Sequence, residues 1–226
     1  MLCPDVLDSA IGLPPLTAQA TVLPLVALFC ASFTAAVQFD LKIGQDLLSE
    51  SWRAQAWATI GAAACLFVAP PCRLYLVLMQ TNWPRMGWAS RRPVARLGLE
   101  CLKLAIDACH AAAKAGKFFC FEHPARSRAL MLSLVQGLLE YDGAQLIYFD
   151  QCCYGLTSRL GAAVRKRTVF LTNHPQIIQE FKDRFCQKQH VHRVCQGYEN
   201  GVRVSKHCEV YPTQLVLALQ SCCNAV

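Results

Sequence analysis

Two short apolar runs, each cut off by proline, constrain this chain most. The run 65–69 (CLFVA) stops at Pro70 and Pro71, and the run 117–121 (KFFCF) stops at Glu122, His123 and Pro124. Runs this short, bounded by residues that lack a backbone donor, read as buried strands that end in rigid turns. Between them, Leu97, Cys101, Leu104, Ile106 and Ala108 recur at helical spacing, and Gly116 is suited to the position just past a helix end. Strand, helix, strand is the unit from which parallel sheets are built.

The same alternation continues on both sides. Strands are expected at 25–29 and 37–41, and a helix at 49–60 with Ser49 as N-cap. A loop is expected at 81–93, a helix at 127–140, a strand at 145–149 and a loop at 154–163. A strand at 168–172 and a helix from Pro175 to about Lys188 follow. The order predicts an α/β domain over 38–226 with a mostly parallel sheet flanked by helices, preceded by a poorly defined, proline-broken segment 1–37.

Composition closes off other classes. A chain of 226 residues that is 54% hydrophobic can bury a large core, which excludes disorder over most of its length. The net charge of +7 is uneven, because residues 114–226 hold 14 basic and 8 acidic side chains. That half suits a polyanion such as nucleic acid, or an ordinary solvated face. The 14 cysteines include no C-x-x-C pair, and Cys30, Cys65 and Cys120 sit in apolar runs, so a reducing intracellular compartment is expected. Segment 21–37 is apolar but holds Pro24 and many small residues, so no membrane partner is expected. Phosphate-loop, zincin, nucleophile-elbow and dinucleotide fingerprints are absent from the sequence.

Ligands of open α/β sheets bind at the carboxyl ends of strands, so the strand exits are the places to search. Cys72 follows a proline pair that fixes its direction, and a thiolate there could be a nucleophile; an idle structural cysteine is the alternative. Glu122 leaves an apolar strand, where a carboxyl can keep its proton and donate it to a neutral polar ligand. Capping the helix that follows is the other reading. Trp83 and Trp88, interleaved with Arg85, Arg91 and Arg92, could grip nucleic acid or could pack on the core with the arginines in water. Cys186, His190, His192 and Cys195 are four potential zinc ligands within ten residues, but neighbours this close need a tight turn to reach one ion. The expectation is no metal, with cysteines packed inward and histidines facing outward.

Pro70–Pro71–Cys72, then Glu122–His123–Pro124, then Asp150–Gln151–Cys152–Cys153–Tyr154–Gly155, then Lys166–Arg167–Thr168 stand in an order that resembles the DNA cytosine-5 methyltransferase family. The likeness, over about 38–220, is closest to divergent segments of mobile-element polyproteins and phages. It implies a Rossmann-like class I methyltransferase-type sheet, incomplete at its N-terminal side. It implies that Cys72 attacks C6 of a flipped cytosine, that Glu122 contacts N3 and the exocyclic amine, and that Arg165 or Arg167 helps hold the base. It assigns Asp40, Asp46 and Pro70 to S-adenosylmethionine, with DNA as partner and an intracellular, nuclear setting. The chain departs from the family pattern where F-x-G-x-G should stand, since 23–37 holds no glycine, and Arg73 replaces the usual Gln or Thr. The expected function is therefore a divergent S-adenosylmethionine-dependent methyltransferase-like protein, active or decayed; the alternative is a noncatalytic nucleic-acid-binding module derived from a mobile element.

Overall fold

A computed structural model describes residues 26–29, 36–39 and 49–224. The chain runs β1 (Val26–Phe29), β2 (Ala36–Phe39), α1 (Glu50–Ala62), β3 (Cys65–Val68), α2 (Val77–Asn82), α3 (Trp88–Lys114), β4 (Phe118–Pro124) and α4 (Ser133–Gln136). It continues through β5 (Gln145–Asp150), β6 (Arg167–Thr172), α5 (Pro175–Phe181), β7 (Tyr198–Glu199), β8 (Val202–Arg203), α6 (Val204–His207) and α7 (Thr213–Asn224). Both proline-stopped runs are strands, and β3 pairs parallel with β4, Val68 opposite Phe121. The long α3 makes the crossover between them.

The fold is α/β with a mixed open sheet in the order β2-β1-β3-β4-β6-β5. This corrects the expectation of a mostly parallel sheet: β1 is antiparallel to both β2 and β3, and β6 is antiparallel to both β4 and β5. The direction of β6 reverses because Asp150 turns at once into the short helical turn Gln151–Tyr154, with no helix to carry the chain back across the sheet.

Side-chain alternation divides the core into two layers. Leu66, Val68, Phe119, Phe121, Val169 and Leu171 face α1 and α3. Phe67, Cys120, Ile147, Phe149 and Phe170 face α5 and α7. Six phenylalanines are completely buried, Phe67, Phe149, Phe170 and Phe181 in this second layer and Phe119 and Phe121 in the first, and each contributes about 2–3 kcal/mol.

Three local differences from the expected elements have physical causes. The stretch 81–93 is mostly helical, and α3 begins at Trp88 and contains Pro93; the buried stripe Cys101, Leu102, Ala105, Ile106, Cys109 and Ala112 holds the helix despite the lost donor. The stretch 127–140 is broken into α4 and two 3-10 turns, the first opened by the Ser127 hydroxyl accepting from the Ala129 amide. The helix expected to reach Lys188 ends at Phe181, before Asp183 adopts a left-handed φ of 62°.

Candidate functional site

The sheet places its chemistry at one end. β3, β4 and β5 run in the same direction, so Cys72, Glu122 and Asp150 all emerge there. Cys72 caps the 3-10 turn Arg73–Tyr75, and Pro70 is buried just before it. Asp40 and Asp46 lie outside the described residues.

Glu122 is 5% exposed, and its Oε1 has no hydrogen-bond partner. Alternation along β4 points it to the same layer as Cys120, where Tyr211 is buried. Burial pushes the Glu122 carboxyl above its ordinary value; the charge of Lys166 and the Tyr211 hydroxyl pull the other way without cancelling it. Tyr211 also feels Cys72, so the turn after β3 and the exit of β4 share one corner. Lys166 completes it, with its ammonium 5.2 Å from the Tyr211 ring centroid and 3.3 Å from the Cys208 carbonyl. The adjacent His123 is fully buried against Phe121 and Tyr75 with both ring nitrogens unpartnered. Burial, reinforced by Lys166, pushes that imidazole down to about 3, so it is neutral.

Arg165 and Arg167 stand elsewhere. Arg167 donates to both oxygens of Asp150, at 2.8 and 2.9 Å, and Arg165 approaches at 3.3 Å. The cause is strand parity: Arg167 shares the face of Val169, whereas Lys166 shares the face of Phe170, where Glu122 and Tyr211 lie. The two arginines of the Arg-Lys-Arg run, expected beside Glu122, are thus engaged with Asp150, and the side chains beside Glu122 are Lys166 and Tyr211, which sequence reasoning did not single out. Continuing the strand alternation two residues upstream would have singled out Lys166.

Exposed cations follow these strand exits along the chain. Arg73 follows Cys72, and Arg126 and Arg128 follow the Pro124 exit; all three are exposed. The tryptophan loop is divided in its loyalties. Arg91 is held by the Met86 and Pro84 carbonyls, both at 2.7 Å, and lies over Trp83, while Trp88 is 74% exposed.

Cysteine and histidine side chains gather beside Asp150. The Sγ atoms of Cys152 and Cys186 and ring nitrogens of His190 and His192 lie within 4.8 Å of one another. Cys195 is not among them: its sulfur accepts a hydrogen bond from the free Cys208 thiol, which holds the Cys195 pKa below the ordinary value, and it packs on the small core of Leu156, Val164, Val204 and Cys208. This corrects the expected grouping, in which Cys195 stood in place of Cys152. Cys65, His174 and Cys223 form a second, fully buried group of three.

A scan of protein-family models, a search of curated proteins and a search of solved structures each find no match to the chain.

Proposed function

We propose that this chain is a divergent cytosine-5 methyltransferase-like domain that serves as a nucleic-acid-binding module and does not transfer methyl groups. The observation that carries the reading is the buried, unpartnered Oε1 of Glu122 in a corner shared with Cys72 and Tyr211. A carboxyl that keeps its proton offers one O–H donor and one acceptor, which matches the N3 acceptor and the exocyclic amine of cytosine. Arg73, Arg126 and Arg128, exposed and next along the chain to the exits of β3 and β4, are the cations that would meet phosphates flanking an extruded base. The Rossmann-like, class I reading draws support from the β3–α3–β4 unit and from the shared direction of β3, β4 and β5.

S-adenosylmethionine does not fit the residues present. The segment 23–37 has no glycine to let the backbone approach a cofactor, and the carboxyl end of β1 lies beside Cys65, opposite the end that bears Cys72 and Glu122. No chemical step is therefore derived through that group. Within the described residues, no helix is long and apolar enough to cross a membrane.

The test uses the full chain with a labelled, cytosine-containing single strand, followed by anisotropy across a salt series. Binding is expected, with log affinity falling linearly as log salt rises. The Arg126→Ala and Arg128→Ala variants should each flatten that slope by about 0.7, the single-strand value per phosphate contact. In parallel, calorimetry with S-adenosylmethionine should give no saturable heat. Absence of binding at low salt overturns the reading. So does saturable cofactor binding together with a Cys72-dependent adduct on 5-fluorocytosine DNA, which would establish the active enzyme instead.

A further inference from the structure

We propose that Cys152, Cys186, His190 and His192 bind one zinc ion as a closed, structural Cys2His2 centre. Zinc bond lengths to sulfur and imidazole nitrogen set tetrahedral edges of about 3.3 Å between nitrogens and about 3.5 Å between sulfur and nitrogen. Cys152 Sγ lies 3.4 Å from His192 Nε2, and Cys186 Sγ lies 3.4 Å from the same nitrogen. Cys186 Sγ is 3.5 Å from His190 Nε2, and the two Nε2 atoms are 3.0 Å apart. The sulfur–nitrogen separations match the edges of such a tetrahedron, and the nitrogen pair falls slightly inside its own. Pairwise thiol–imidazole hydrogen bonds need only two of these atoms to meet; convergence of all four on one point is what a metal requires.

The backbone supplies what the spacing demands. Lys188, midway between Cys186 and His190, takes a left-handed φ of 61°, the tight turn that lets both reach one centre. Cys152 comes from the helical turn after β5, 34 positions before Cys186, so the ion would tie the strand exit to a stretch free of helix and strand from 182 to 197. Asp150 supports the same junction, since its Oδ2 accepts the Cys186 amide at 3.1 Å. Four protein donors leave no open position, which assigns the ion to structure and not to catalysis. The Cys65, His174 and Cys223 group offers only three donors among buried apolar side chains, and no fourth accompanies them among the described residues.

The experiment purifies the full chain without chelator and measures metal content, then removes the metal and titrates Co²⁺ alone. One zinc per chain is expected, with the intense visible bands and sulfur charge-transfer absorption of tetrahedral cobalt. His190 is exposed, so His190→Ala keeps the fold testable where Cys152→Ser, at a buried position, could unfold it. His190→Ala should lower zinc affinity by more than about 100-fold, beyond the loss typical of outer-shell partners. Cys195→Ser and Cys153→Ser should leave it unchanged. A metal-free chain that shows no saturable Co²⁺ spectrum, a Cys152–Cys186 disulfide in the freshly purified protein, or equal loss of metal in Cys195→Ser overturns the assignment.

Discussion

Two carboxylates leave the same end of one sheet, and their surroundings drive them in opposite directions. Asp150 at the exit of β5 and Glu122 at the exit of β4 are 0% and 5% exposed, so burial penalises the charge of both. At Asp150 that penalty is outweighed by the hydrogen bonds of Arg167, by the Cys186 amide and by the charges of Arg167 and Arg165, and the carboxyl is held below its ordinary value. At Glu122 the opposing influences are Lys166 and the Tyr211 hydroxyl, and the carboxyl stays above its ordinary value. The difference teaches that burial alone does not decide the state of a strand-end acid; the number and reach of donors does. A fully satisfied carboxylate is a joint, whereas one with an orphaned oxygen is suited to a ligand.

The largest break in this comparison is expected from Asp150→Asn. It removes the charge that two guanidinium groups address and weakens the contact that holds Cys186. Breaking a buried pair on one side costs about 3–5 kcal/mol, and because both arginines are about one-third exposed or more, the lower end of that range, about 3 kcal/mol, is expected in urea unfolding. Loss below about 1 kcal/mol would mean that Asp150 is no joint. Arg167→Gln comes next. It deletes the two-pronged contact, and hydrogen bonds to a charged group contribute about 1.5–3 kcal/mol, reduced here by solvent to about 1–2 kcal/mol. Arg165→Gln should cost less, having a single longer approach. Equal losses from the two arginines would remove the geometric basis for ranking them.

Much of the scaffold was legible because it rests on local signals. Short apolar runs closed by proline identified β3 and β4, and Ser49 does precede α1, though its side chain makes no capping bond. Signals failed where distant packing prevailed. The helix through Pro93 persists because residues a turn or more later are buried, and no local rule reports that. The direction of β6 depends on how the chain turns after Asp150, which periodicity does not encode. The soft-ligand group shows the same limit most sharply. Its Cys186, His190 and His192 are neighbours in sequence, but the fourth member comes from the exit of β5, 34 positions earlier, while nearby Cys195 is hydrogen-bonded to Cys208. Glu122 was legible from a carboxylate following an apolar strand, and Lys166 would have been from the parity of β6; Tyr211 was not, since its place depends on α7 closing the second layer.

The smallest expected effect discriminates best between the two carboxylates, because its sign depends on pH. Glu122 binds its proton more tightly folded than unfolded, so in the window above the ordinary value of 4.5 the folded chain holds more protons. Stability linked to this group is then full below 4.5 and declines as pH rises through the folded value. Glu122→Gln keeps the shape and removes the ionisation, so the two chains should be about equally stable below that window. Above it the variant should be the more stable, by about 1 kcal/mol, the scale of one poorly satisfied buried polar group. Urea unfolding of both chains on either side of the window measures the gap. A gap of the opposite sign at high pH would mean that Lys166 and Tyr211 satisfy the carboxylate after all, making the β4 exit a second joint like Asp150. A gap of the expected sign keeps the unpartnered Oε1 available, at a stability cost to this corner, for hydrogen bonding to something outside the chain.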